Sequence, residues 1–111
     1  MKIKKLADQY FKEFSKKNIA GLENLFSKNI VVRDWEKLIN GKKNVINFNK
    51  EIFAKFPNIK TKMLNYFLNA KKKIISCEIL VCLNKRSTIK VVDIIFFDKN
   101  WKIKKIYAFK G

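Results

Sequence analysis

The sequence reads as an α+β domain in which three N-terminal helices cover one face of a strongly curved, mostly antiparallel sheet. Two observations carry this reading. Up to Phe56 the apolar residues recur at helical spacing; from Ile59 onward they alternate, or run in short apolar blocks separated by turns. Helices followed by strands is the α+β plan. The 111 residues are enough for one core and too few for two, so residues 1–111 are expected to form a single domain.

The first helix is expected over residues 2–17, with Ile3, Leu6, Tyr10 and Phe14 on one side and Lys5, Lys12, Glu13 and Lys16 on the other. Lys17-Asn18 break it, and a short second helix buries Ile19, Leu22, Leu25 and Phe26. Ser27-Lys28-Asn29 turn the chain into a short strand, Ile30 to Asp34. Asn40-Gly41 makes a turn into a third helix, residues 42 to 56, whose apolar face is Val45, Ile46, Phe48 or Asn49, Ile52, Phe53 and Phe56. Pro57 stops it, because the residue before proline is pushed out of the helical region. Four strands then follow near 59–69, 73–84, 87–98 and 102–110. Their connections are Asn69-Ala70-Lys71, Asn84-Lys85-Arg86 and Asp98-Lys99-Asn100, where asparagine suits left-handed positions.

Composition narrows the function classes. With 48% hydrophobic and 14% aromatic residues the chain can fill a globular interior. No apolar stretch approaches the roughly 18 residues of a membrane span. The start, MKIKKLADQYFKEF, is basic but interrupted before any apolar segment forms, so it does not read as a signal peptide; a cytoplasmic protein with no membrane partner is expected. Cys77 and Cys82 fall on one strand with opposite facing, which excludes a bridge between them. Histidine is absent, which removes Ser-His and Cys-His nucleophiles and most zinc sites. Proton transfer would fall to Asp, Glu, Tyr, Lys or Cys, and no metal or cofactor is expected.

The net charge of +17 is almost entirely lysine, with only Arg33 and Arg86 besides. Enrichment of Lys together with Asn and Ile is what A+T-rich coding produces. The lysines are scattered, the longest run being Lys71-Lys72-Lys73, so they read as solvated surface and not as a nucleic-acid footprint.

Two blocks, ILVCL at 79–83 and VVDIIFF at 91–97, are apolar on both strand faces, whereas a sheet with one wet face would alternate. With helices on one face, a second copy of the sheet is the economical cover for the other, and a homodimer through the sheet is expected. Within VVDIIFF stands Asp93, on the face shared by Val91, Ile95 and Phe97. A buried carboxylate is costly unless paired, protonated or used. Either a helix terminus, a lysine or a tyrosine hydroxyl satisfies it, or it lines a pocket.

The stretches YFKEFSKKNIAGLENLFSKNIVVRDW, NGKKNVINF and VVDIIFFDKNWKIKKIYAFKG, in this order, resemble the SnoaL-like and ketosteroid isomerase-like members of the nuclear transport factor 2-like superfamily. The resemblance covers almost the whole chain and implies a cystatin-like cone, an α+β barrel with a pocket inside. It also implies cofactor-free proton transfer on a hydrophobic carbonyl compound, although other members bind small molecules or assemble without catalysis. The isomerase-like roles map here onto Asp34 as base and onto Tyr10 and Asp93 as oxyanion donors. Trp35, Phe53, Phe56 and Ile95 are the expected pocket walls. Two positions depart from the isomerase pattern. Trp35 follows the base where a proline is common, and Trp101 stands where the last hairpin usually carries glycine, which leaves Asn100 to take the left-handed position.

Overall fold

A computed structural model describes residues 2–111. The helices are α1 (Lys2–Lys16), α2 (Ile19–Leu25) and α3 (Lys42–Lys55). The strands are β1 (Phe26–Arg33), β2 (Leu38–Asn40), β3 (Lys60–Asn69), β4 (Ile74–Asn84), β5 (Ser87–Phe97) and β6 (Ile103–Lys110). The strands form one unclosed six-stranded sheet in the order β2-β1-β6-β5-β4-β3. All neighbours are antiparallel except β1 and β6, which run parallel.

Two features of this sheet differ from the sequence reading. Strand β1 begins at Phe26 and not at Ile30, because Phe26 pairs with Ile103 while Val31 to Arg33 pair with Lys105 to Tyr107. The turn at Asn40-Gly41 is preceded by the short strand β2, held on β1 through Val31–Asn40, Val32–Ile39 and Arg33–Leu38. Both strand segments depend on partners far along the chain or across a loop, which local pattern does not register. The curvature has a local cause. The register shifts between Phe26 and Val31, Met63 and Asn65, Cys82 and Asn84, and Phe96 and Phe97. Each irregularity bends its strand and deepens the twist.

Alternation then sorts the side chains. Ile75, Cys77 and Ile79 of β4, and Val91, Asp93, Ile95 and Phe97 of β5, are buried on the concave face. They form a core with Ile3, Ala7, Tyr10 and Phe11 of α1, Leu22 of α2, and Val45, Ile46 and Phe53 of α3. On the convex face the register sets Phe67, Ser76, Ile94 and Tyr107 in one row, and Asn65, Glu78, Val92 and Phe109 in the next. Phe67 and Phe109 are exposed there, so the convex face carries open apolar side chains beside the polar Asn65, Ser76 and Glu78. Cys77 and Cys82 are both free thiols.

The turns work differently from the asparagine expectation. No asparagine has positive φ among the described residues; Lys17, Lys73 and Trp101 do. The Asn69, Asn84 and Asp98 side chains instead accept backbone N–H bonds from Lys72, from Arg86, and from Asn100 and Lys102. A short side chain that folds back on its own turn supplies the closure. Trp101, not Asn100, is left-handed in the last turn, with φ 64°. Its ring lies beneath the ammonium groups of Lys2 and Lys73, at 5.1 and 4.7 Å from the centroid, contacts that offset the backbone cost.

The α1–α2 junction rests on a buried carboxylate. Asn18 caps α2 by accepting from the Gly21 N–H at 3.1 Å, and its Nδ2 donates to the buried Glu13 at 2.9 Å. A Cβ at Gly21 would fall on the Glu13 carboxylate and within 2.8 Å of the Asn18 amide. Glu13 could yield only by giving up that bond. Gly21→Ala is therefore expected to destabilise the protein by about 1–3 kcal/mol, read as a lower denaturant midpoint, although alanine is the better helix former.

Candidate functional site

Helix α3 leans against β1, and α1 lies against β3 and β4, so the concave interior is covered incompletely. What remains is a cavity of about 330 Å³, at the small end of ligand-sized pockets. Its walls are mainly apolar: Phe11 from α1, Phe26, Ile79, Val91 and Ile106 from the sheet, and Ile52 from α3. Among the polar groups that reach it are Tyr10, Asp34, Asn49, Thr61 and Asp93.

Asp93 enters from the middle of β5, between Cys77 on β4 and Ala108 on β6. Ala108, also in the lining, is small enough to leave the carboxyl open to the cavity. Asp93 is only 8% exposed. No helix terminus, lysine or tyrosine hydroxyl bonds to its side chain among the described residues. Burial alone pushes its pKa up to about 7, because desolvation penalises the charged form and no donor offsets it. Tyr10 reaches the same cavity from α1 and is 7% exposed. Burial first, and then the nearby Asp93 charge, push its phenol well above the ordinary value, so it remains a neutral O–H donor. No hydrogen bond joins Tyr10 to Asp93. Cys77, next to Asp93 on the sheet, is pushed up to about 12 by burial and by the Asp93 charge. It is a protonated thiol and a poor nucleophile.

Asp34 lies in the lining just past the end of β1, half-buried. Its Oδ1 accepts the N–H groups of Glu36 and Lys37, both at 2.7 Å, and its own N–H donates to the Lys37 carbonyl at 3.0 Å. One carboxylate oxygen thus holds the loop from β1 to β2. It forms no ion pair with Arg33 or with a lysine among the described residues.

The expected pocket walls divide. Trp35, at 45% exposure, and Phe56 are in the lining. Phe53 and Ile95 are not. Phe53 turns from the cavity to meet Phe14 edge-on, with centroids 5.0 Å apart. Ile95 shares the face of Asp93 but lies two residues further along β5, where the packed core leaves it no exposure. Asn49 is the site residue that the helical pattern leaves ambiguous beside Phe48; both line the cavity. The signal that marks it is an amide on the apolar face of α3, at helical spacing from Val45 and Ile52. Among the described residues no cluster of His, Cys, Asp and Glu is placed to hold a metal ion. No described helix is long and apolar enough to cross a membrane.

The family follows from the sequence as a whole: residues 3–106 match the SnoaL-like domain model, and the chain belongs to the SnoaL-like family. No curated protein matches it. Among solved structures, the fold is similar to a cystatin-like protein of unknown function from Methylobium petroleophilum, with TM-score 0.88, 12% identity, and coverage of 99% of this chain and 76% of that one. It is also similar to a candidate ketosteroid isomerase from Kribbella flavida, with TM-score 0.85, 12% identity and coverage of 99% and 78%. A third similar structure is a candidate SnoaL-like polyketide cyclase from Shewanella denitrificans, with TM-score 0.84, 13% identity and coverage of 98% and 90%. At these identities the likeness is one of fold.

Asp93 makes a stability prediction independent of any ligand. Its pKa is higher folded than unfolded, so the folded state holds the proton more tightly. The associated stabilisation is complete below about pH 4 and is lost as pH rises through about 7. Asp93→Asn lacks this titration. Thermal melts from about pH 4 to pH 8 should show the variant gaining stability relative to the parent protein across that window, and parallel curves would contradict a buried, unpaired carboxyl.

Proposed function

We propose that the cavity is the site of a cofactor-free proton transfer on a hydrophobic carbonyl compound, of the isomerase or cyclase type. The observation that supports it best is a pair of buried groups, the Tyr10 hydroxyl and the Asp93 carboxyl, that share one apolar cavity and bond to no other side chain among the described residues. Hydrogen-bond donors placed where negative charge develops are the largest contributors to this class of catalysis. A carboxylic acid kept neutral by an apolar site, so that it donates to an oxyanion, is the arrangement by which ketosteroid isomerases work.

In this reading the carbonyl oxygen of an unsaturated cyclic ketone accepts from Tyr10 and from protonated Asp93. Asp34 removes the proton from the carbon between the carbonyl and the alkene. The C–H electron pair moves into the new enolate, and Asp34 returns the proton to the far alkene carbon. Oδ1 of Asp34 is committed to the Glu36 and Lys37 amides, so Oδ2 is the atom that would carry the proton. The apolar walls exclude water from the enolate and strengthen both donor bonds.

The assay is conversion of small β,γ-unsaturated cyclic ketones to conjugated enones, followed by ultraviolet absorbance. Asp93→Asn and Tyr10→Phe should each lower kcat by about 10²–10³-fold, and Asp34→Asn should abolish turnover. Since Asp93 must be protonated, kcat should fall as pH rises through about 7, and Asp93→Asn should lose that alkaline limb. A rate that rises through the same range would make Asp93 the base. Saturable binding without enone formation would support the alternative, a non-catalytic binding domain.

The proposed assembly is a two-fold dimer through the convex face, where Phe67 and Phe109 are exposed beside Val92, Ile94 and Tyr107. Apolar surface of this kind is normally covered. Light scattering should give the mass of two chains, reduced to one by Ile94→Lys.

A further inference from the structure

Asn49 presents a polar group that the proton-transfer reading does not use. It is 5% exposed, it lines the cavity from α3, and its Nδ2 has no hydrogen-bond partner among the described residues. A buried donor left unpaired costs stability. Position sharpens the anomaly, because Val45, Phe48, Ile52 and Phe56 of the same segment line the cavity with apolar side chains. The Nδ2 atom itself has almost no accessible surface, so the carboxamide must turn about its terminal torsion to present a donor to the cavity. Relief of the unpaired donor is what would favour that turn when a partner arrives from outside.

The charge of the walls says what that partner is not. The chain holds 26 Lys and Arg against 9 Asp and Glu. Yet the ionised groups that line the cavity beside the neutral Asp93 are Asp34, Glu36 and Glu51, with only Lys37 and Lys55 against them. Lys37 and Lys55 lie over the rings of Phe48 and Phe56, 5.6 and 5.4 Å from the centroids. The cavity walls therefore carry no cationic excess although the protein is strongly basic, and they offer no free basic group to hold a carboxylate or phosphate on the ligand.

We infer that Asn49 is the second anchor of the ligand, and that the ligand is a neutral, apolar ring compound with two separated oxygen functions. One oxygen is held at Tyr10 and Asp93, and the other accepts from the Asn49 carboxamide. The inference rests on the proposed use of the cavity as a ligand site, but not on turnover. Asn49 acts on specificity: a site built to hydrogen-bond a group discriminates strongly against the analogue that lacks it, because its own polar atom is then stranded.

The test uses full-length protein and fluorescent ring probes: naphthol, which has one hydroxyl, and naphthalenediols with the second hydroxyl on the far ring. At least one diol should bind about tenfold or more tighter than naphthol. In Asn49→Leu that preference should vanish while naphthol affinity is retained. The ligand-free variant should also melt higher, by roughly 4–8 °C, since a stranded donor has been removed. Asn49→Ser, which keeps a donor on a shorter side chain, should restore part of the preference if Asn49→Leu folds poorly. A diol preference that survives Asn49→Leu would overturn the inference. So would a lower melting temperature in that variant with unchanged probe ranking, since the amide would then be a structural group. A hydroxynaphthoate that binds tighter than every diol would overturn the neutral-ligand assignment. Failure of the parent protein to bind any probe would overturn the ligand site itself. Diol binding that depends on Asn49, in a protein that forms no enone, upholds the inference and overturns only the proton-transfer reading.

Discussion

Strand β1 lies parallel to β6, and both walls of the cavity take their positions from that pairing. Within the sheet, β6 bridges the N-terminal pair, β1 and β2, to the C-terminal strands β3 to β5. Helix α3 is carried by the first group, and Asp93 by the second. The pairings of Val31 with Lys105 and of Arg33 with Tyr107 thus set the distance between two walls of one cavity. Parallel strands need a long connection, and here nearly the whole chain between them supplies it. The bulges on both sides of β6 then turn the six strands into a trough instead of a flat sheet.

A trough covered by three short helices is not filled completely, and the residues beside the gap are not those that would fill it. The small Ala108 stands beside Asp93, and Asn49 places an amide among the apolar lining residues of α3. Interiors pack to nearly crystalline density where stability alone is at stake. Here three polar side chains, Tyr10, Asp93 and Asn49, are buried around the void, and the Nδ2 of Asn49 has no partner among the described residues. Local costs of this kind are sustained by the stability of the core elsewhere. Three residues at which a ligand could relieve that cost converge from α1, α3 and β5.

Much of this is legible in the chain because it is governed by period. Two-residue alternation puts Asp93 on the face of Val91, Ile95 and Phe97, and the structure has it there. Helical spacing puts Tyr10 on the buried face of α1. Period does not report depth. Ile95 shares the face of Asp93 yet lies in solid core, and Phe53 is on the inner side of α3 yet packs on Phe14. Nor does period choose between adjacent residues: Phe48 and Asn49 are equivalent in the helical pattern, and the amide proves to be the unpaired one. Residue preference alone points to Asn100 for the last turn. The left-handed position goes to Trp101 instead, whose ring lies under two lysine ammonium groups.

Nearest-neighbour geometry, which the chain carries locally, is sufficient for the α+β order, the inner and outer faces of each long strand, the unbridged thiols, and one carboxyl among apolar neighbours. It is not sufficient for the placement of β1 beside β6 or for the existence of β2. Nor does it reveal that Asp93 lacks a partner while Asp34 commits one oxygen to its own loop. Those outcomes depend on which distant groups come within hydrogen-bonding reach. Burial and pairing are set by every element that closes around a residue, and not by the residues beside it in the chain.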